Sequence, residues 1–131
     1  MDDAELRRVT RDTAEMLFGP PKPGEGVFQL WKKFDADLAR HISTFFTGRL
    51  YARNVISQKE RELCAVAALT VLQRLEELRI HIGAALNVGA SREEVAEVIF
   101  QMMTYGGVPT MVEGLKVFKE VLQDRGMWDD D

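Results

Sequence analysis

His81 is the side chain of this sequence best suited, by type and surroundings, to acid–base chemistry. An imidazole titrates near neutral pH, so it can both donate and accept a proton. On a helix, Glu77 lies one turn before His81, within side-chain reach. The next turn is small (Gly83, Ala84 and Ala85), which lets a second helix approach closely. We therefore predict that His81 lies in a crevice between helices. The alternative is a core or surface histidine that hydrogen-bonds to Glu77.

Glu62 is the second candidate, because it begins a long apolar helix face. The chain carries no charge between Glu62 and Arg74. On a helix, Glu62 stacks over Ala65, Val66 and Leu69. A carboxylate buried there needs a partner or a raised pKa. The alternative is a glutamate near the surface in the first helical turn, where the helix dipole favours negative charge.

Three further side chains are weaker candidates for a functional role. Arg79 lies two positions from His81 and so points to nearly the opposite side of the helix. It could share a pocket with His81 only if a second subunit closed the site. Cys64 stands in a stretch of small apolar residues, which favours a buried structural thiol. His41 stands among apolar and aromatic residues, which favours packing or an interface.

The two candidates fall on neighbouring predicted helices. The capping box from Ser57 to Glu60 begins a helix that runs to about Gln73. The next helix spans residues 75–88 and ends at Gly89. Further helices are predicted over 2–17, 26–47 (with Gly48 as the stop), 91–105 and 110–123. No segment shows the strict alternation of a half-buried strand, so the fold class is all-α with about six helices.

Composition restricts the functional classes. Hydrophobic residues make up 46% and charged residues 29%, a globular balance, and the net charge of −4 argues against nucleic acid as a partner. A lone cysteine forms no intrachain disulfide, and no cluster has zinc-ligand spacing. The charged start lacks the apolar core of a signal peptide, and no apolar run is long enough for a membrane span. We expect a cytoplasmic protein that binds no metal.

The predicted organisation is one folded domain with two appendages. Residues 1–24 form a helical arm and a proline-rich linker, 25–126 form the helical domain, and 127–131 form an acidic tail. Trp128 and the aspartates after it are predicted to be frayed.

The segment from Lys59 to Val121 resembles the carboxymuconolactone decarboxylase family, which is related in fold to the AhpD-type alkylhydroperoxidases. The resemblance depends on the order and spacing of several blocks, since no single block is specific. These blocks are Lys59 to Leu63 with Ala65, Ala67 and Ala68; Glu77 to His81; Ala84 to Gly89; Glu93 to Val95; and Tyr105 to Pro109.

The resemblance to the hydroperoxidase branch is incomplete. That branch places a CxxC pair between a glutamate and a histidine that relay protons, and Glu62 and His81 match those two residues. The cysteine positions fall at Arg74 and Glu77, so both thiols are missing. Peroxide reduction by a dithiol needs an attacking and a resolving thiol. Thiol peroxidase activity is therefore not expected, although it remains an alternative by family label.

The decarboxylase branch also lacks the cysteine pair, and it implies specific roles. His81 would donate the proton to carbon. Glu62 would orient His81 or relay a proton to it. The substrate, a small organic acid or lactone, would be bound by Arg74, Glu77 and Arg79, with an arginine as the anion clamp. No cofactor is implied. Family members form ring-shaped homo-oligomers, here a trimer or hexamer, which would bring Arg79 of a neighbour to a shared site.

Three functional hypotheses follow. The first is a cofactor-independent decarboxylase, or a related lyase or isomerase. The second is a redox protein that depends on Cys64. The third is a non-catalytic oligomeric binding module, which a separation of Glu62 and His81 by more than about 8 Å would favour, because it exceeds hydrogen-bond or one-water reach.

Overall fold

The computed structural model describes residues 1–22 and 26–130, in which all regular structure is helical. The all-α prediction is confirmed. The chain divides into two compact units, Met1–Ile56 and Ser57–Asp131. The elements are α1 (Asp3–Phe18), α2 (Val27–Phe34), α3 (Ala36–Ser43), a π-helix (Thr44–Tyr51), α4 (Gln58–Leu72), α5 (Leu75–Asn87), α6 (Arg92–Gln101), α7 (Met103–Gly106) and α8 (Val108–Asp124).

In the first unit, the single helix predicted over 26–47 is divided at Asp35. This residue has an extended backbone (φ −159°, ψ 103°), and its side chain accepts a hydrogen bond from the backbone N–H of Leu38. Asp35 is therefore the N-cap of α3. The apolar periodicity continues across this point, which is why the pattern alone predicts one helix.

The predicted helix stop at Gly48 is also wrong, because the chain stays helical to Tyr51. Gly48 is buried, and a Cβ atom there would overlap Thr10 Oγ1 and lie 2.9 Å from Leu6 Cδ1. The glycine thus permits close approach of α1 to the π-helix.

The second unit is built on the helical pair α4 and α5. The predicted capping box is present at Ser57 and Glu60 and sets the first turn of α4. Gln73 ends α4 in the left-handed conformation (φ 55°, ψ 38°), and its Nε2 donates to the carbonyls of Thr70 and Thr110. With only two residues between the helices, α5 folds back along α4.

The core of the second unit draws on four of its helices. Glycine and alanine positions keep the helices close, and α8 contributes the largest share of apolar side chains. The buried cluster consists of Val66, Leu78, Ile82, Ala85, Ala90, Val95, Ile99, Val117, Phe118, Val121 and Leu122.

Two helices of this unit end or begin at residues other than those predicted. The helix predicted over 91–105 is interrupted at Met102, after which α7 forms one short turn. The last helix begins at Val108 rather than at Thr110. Pro109 belongs to its first turn, where the missing N–H of proline leaves no helical hydrogen bond unmade.

The prediction that Trp128 is frayed is wrong. Its ring is partly buried against the core cluster, and the charged groups of Arg92 and Lys119 each lie 5.2 Å from the ring centroid. Its Nε1 donates to Asp130 Oδ1 over 3.1 Å. Cation–π contacts and apolar burial together hold the indole in place.

The predicted boundaries at 24/25 and 126/127 stay predictions. Part of the predicted linker, the boundary at 24/25 and the last residue of the predicted tail lie outside the described residues. Within those residues, no helix has the length and apolar character needed to span a bilayer.

Replacing Gly114 by alanine is expected to lower the free energy of unfolding by about 1–2 kcal/mol, although alanine favours helices. A Cβ at Gly114 would lie 2.9 Å from Ile99 Cγ2 and 3.0 Å from Thr70 Cγ2, both on buried side chains. Urea unfolding measures the change. The matched control is Gly83→Ala, where the new methyl meets only the flexible end of Arg125. Equal stabilities for the two variants would contradict this packing account.

Candidate active site

Glu62 lies wholly inside the second unit. It shares a face of α4 with Val66 and Thr70, and all three side chains have 0% exposure. The predicted burial is therefore confirmed, and the alternative of a glutamate near the surface is wrong. A carboxyl group in such a place requires a hydrogen-bonding partner.

His81 is that partner. Its Nδ1 lies 2.7 Å from Glu62 Oε2, and its side chain retains 22% exposure. The hydrogen bond runs between α4 and α5, whereas Glu77 is exposed. A carboxylate on Nδ1 favours the Nδ1–H form of the ring, so that Nε2 can accept a proton or, in the imidazolium, donate one. The arrangement is that of a general acid or base held in place by a buried carboxylate.

The second oxygen of Glu62 is unusual. Oε1 is buried and has no hydrogen-bond partner within the described part of the chain. A buried acceptor left unsatisfied costs about 1–3 kcal/mol. The carboxylate thus has one oxygen engaged by His81 and one with unused hydrogen-bonding capacity.

The three predicted substrate-binding residues take different places. Arg74 is exposed at the junction of α4 and α5, and Glu77 is exposed in the first turn of α5. Arg79 forms an ion pair with Glu120 of α8. Hydrogen bonding to Glu120 raises the pKa of the Arg79 guanidinium above its usual value. Their role in substrate binding stays a prediction.

Two other predicted side chains lie elsewhere than expected. Cys64 is exposed, so the prediction of a buried thiol is wrong. It stands two positions from Glu62 and points away from that residue's buried face. His41 is also exposed, at 3.8 Å from Asp37, so it does not pack in the core of its unit.

The start of α4 is fixed by linked caps. Glu60 and Glu94 complete the capping boxes of α4 and α6, and Lys59 Nζ lies 3.0 Å from Glu94 Oε2. The pKa of Glu94 is lowered first by the backbone N–H of Ser91 and then by Lys59. The pKa of Glu60 is lowered chiefly by the backbone N–H of Ser57.

The lowered pKa values of Glu60 and Glu94 predict that the protein loses stability in acid. Both carboxyl groups have pKa values below the usual 4.5, so the unfolded chain takes up protons first as pH falls. Their stabilisation is therefore complete above about pH 4.5 and is lost as pH drops through the folded-state values. Urea unfolding at a series of pH values measures this decline. Glu94→Gln should flatten the decline, because an amide does not titrate and the contribution of residue 94 then no longer depends on pH. A variant as acid-sensitive as the parent would contradict the assignment.

One half-buried charged side chain of α4 has no role in the sequence predictions. Arg61 directly precedes Glu62 and is half-buried. A signal was available, because a cation close to the N-terminus of a helix is disfavoured by the helix dipole.

Comparison with known proteins connects this geometry to a family. The model of the carboxymuconolactone decarboxylase family matches residues 36–120. The match begins at α3, earlier than the resemblance over 59–121, and it includes both Glu62 and His81.

Three relatives agree with this match. The chain is 32% identical over 94 residues to the 4-carboxymuconolactone decarboxylase of Acinetobacter baylyi, covering 72% of this chain and 70% of that protein. It is 38% identical over 76 residues (56% and 57%) to an uncharacterized 15.0 kDa protein of Paracoccus denitrificans. It is 24% identical over 83 residues (63% and 58%) to the nitrosuccinic acid decarboxylase of Metarhizium robertsii.

The family match covers well over half of the chain, from α3 into α8, and the Acinetobacter relative spans more than two thirds of both proteins. With an all-helical fold on which two neighbouring helices bring a glutamate and a histidine into contact, the chain belongs to the carboxymuconolactone decarboxylase family.

Proposed function

We propose that this protein is a cofactor-independent carboxy-lyase acting on a small organic acid or lactone, with His81 as proton donor and Glu62 as its partner. The contact of 2.7 Å between His81 Nδ1 and the wholly buried Glu62 carries the proposal. Two of the three relatives are named as decarboxylases. A related lyase or isomerase reaction would use the same two groups.

The chemistry requires one proton for each turnover. The bond between the substrate carbon and its carboxylate breaks, and carbon dioxide leaves without the bonding electron pair. That pair passes into the conjugated system of the substrate. A carbon of that conjugated system then takes a proton from Nε2 of the His81 imidazolium with the electron pair, and the ring regains a proton from solvent.

Glu62 supports this transfer without touching the reacting carbon. A carboxylate on Nδ1 stabilises the imidazolium and fixes the orientation of the ring. Because Glu62 is buried, this interaction is screened little by water. Glu62 is in this account a positioning residue.

Binding of the substrate requires a cation. Arg74 and Arg79 remain the residues proposed from the family resemblance, with Glu77 beside them. Arg79 would have to exchange Glu120 for the substrate. We also propose a ring-shaped homo-oligomer, in which a neighbouring copy could present Arg79 to the site. Light scattering of the purified protein measures that assembly.

The test is release of carbon dioxide from 4-carboxymuconolactone and from nitrosuccinic acid, after dialysis against a chelator. We expect turnover of at least one of these acids, together with uptake of one proton. Cys64→Ser should retain the full rate, because the exposed thiol takes no part. The proposal fails if neither acid loses carbon dioxide. A rate that depends on Cys64 would instead favour thiol chemistry.

A further inference from the structure

The longest stretch of the chain without a charged residue lies between Glu97 and Glu113, and much of it faces solvent. Every residue from Met103 to Pro109 is exposed. Large apolar side chains form much of this surface, which we call the α7 patch: Phe100, Met103, Tyr105, Val108 and Val112. Single exposed apolar residues are ordinary, but a contiguous group of them marks a site of interaction.

The α7 patch is one surface because α7 packs closely against the first turn of α8. A Cβ atom at Gly106 would lie 2.8 Å from Thr110 Cγ2, so the glycine permits this approach. The N–H of Gly107 donates to the carbonyl of Met103 over 3.0 Å and closes the turn between the two helices. Val108 and Val112 lie four positions apart on α8, which puts them on the same face of that helix.

The composition of the α7 patch indicates which class of partner it suits. The centres of protein–protein interfaces are depleted in charged residues and enriched in aromatic residues and methionine, and the patch has both properties. The stretch between Glu97 and Glu113 contains no lysine or arginine, the residues that bind nucleic acid and anionic lipid. The expected partner is therefore a protein surface that is itself apolar and uncharged.

A second copy of this chain provides such a surface. In a two-fold interface both partners contribute the same patch, so any charge near the axis meets its own copy. The α7 patch brings no charges together. The exposed apolar side chains of α2 and α3 do not meet this condition, because Lys32, Lys33 and Asp37 stand among them.

The area of the α7 patch also suits a second copy. From their exposed fractions, its five residues present roughly 550 Å², and the other exposed residues between Glu97 and Glu113 bring the total to about 800 Å². Each partner in a stable interface of standard size buries about 800 Å². The patch alone is thus large enough for a specific contact.

We propose that two copies of this chain associate across a two-fold axis through the α7 patch. This inference rests on the homo-oligomer proposed above and identifies one of its contacts. A two-fold contact gives an even number of copies, so it favours a hexamer over a trimer. Tyr105, which is 71% exposed, is the expected aromatic anchor of the interface.

Sedimentation equilibrium over a series of protein concentrations tests the contact. The wild-type mass should correspond to an even number of copies. Tyr105→Glu should halve that mass or raise the Kd of the contact about thirtyfold or more, the usual effect of losing a central aromatic side chain. The matched control is Phe34→Glu, in an aromatic residue of α2 that is 86% exposed, and it should leave the Kd within about twofold.

Circular dichroism establishes whether each variant folds. If Tyr105→Glu does not fold, Val108→Glu decides the question, because a negative charge in the first turn of α8 is compatible with the helix dipole. A wild-type protein that is monomeric or has an odd number of copies would overturn the proposal. The same holds if folded Tyr105→Glu and Val108→Glu keep the wild-type mass and Kd, or if Phe34→Glu alone divides the assembly.

The failure of this proposal is distinguishable from that of the proposed reaction. If the protein releases carbon dioxide but its assembly does not respond to Tyr105→Glu, only the inference about the α7 patch is lost. If the assembly divides as expected but neither acid is decarboxylated, the contact stands and the proposed reaction is wrong.

Discussion

His81→Gln is expected to lower kcat/KM for decarboxylation by about 10²- to 10⁴-fold, the usual contribution of a positioned general acid. Glutamine keeps an N–H that can donate to Glu62 Oε2, so the buried carboxylate retains a partner. It has no group that releases a proton near neutral pH. The loss should therefore appear in catalysis far more than in folding.

The chain offers a matched control in its other histidine. His41 is exposed on α3, and His41→Gln should leave kcat/KM within about twofold of the parent value, as for most surface substitutions. Circular dichroism and light scattering on both variants separate loss of chemistry from loss of fold or assembly. Full activity in His81→Gln would remove His81 from the mechanism.

His81→Ala should lower the free energy of unfolding at neutral pH by about 3 kcal/mol, at the lower end of the range for breaking a buried ion pair. The wholly buried Glu62 would lose the hydrogen bond to Oε2, so that both oxygens lacked a partner. The lower end applies because the imidazole is partly exposed and water can reach its place. Urea unfolding monitored by circular dichroism gives the value.

Adding Glu62→Gln to His81→Ala should recover a large part of that loss, because an amide costs less to bury than a carboxylate. The double variant and the two single variants form a cycle that isolates the coupling between the two side chains. Glu97→Gln, in an exposed glutamate of α6, is the control and should change stability by less than about 0.5 kcal/mol. Additive effects of the two substitutions would show that the pair is not coupled.

Much of the fold was predictable because its signals are local. The capping boxes at Ser57 and Ser91 begin α4 and α6 as predicted, since each depends on residues three apart. The burial of Glu62 also followed from its place at the head of an apolar face. The helix break at Asp35 was not predicted. An aspartate can lie on the polar side of one helix or cap the start of a new one, and apolar periodicity does not distinguish these cases.

Contacts between distant residues were harder to predict. Glu62 and His81 are nineteen positions apart, and only the family resemblance connected them before the structure did. The pairing of Arg79 with Glu120 depends on how α5 packs against α8, which no local pattern encodes. Trp128 was predicted to be frayed because its neighbours are acidic, yet two cations and an apolar surface hold its ring.

The most direct test of the mechanism is the position and handedness of deuterium in the product formed in D₂O. If His81 delivers the proton from one side, the wild-type product carries one deuterium, in a single configuration, at the carbon that is protonated after carbon dioxide leaves. The residual product of His81→Gln should carry deuterium in both configurations, because solvent then protonates the released intermediate from either face. A single configuration formed at the wild-type rate by His81→Gln would contradict the assignment of His81 as proton donor.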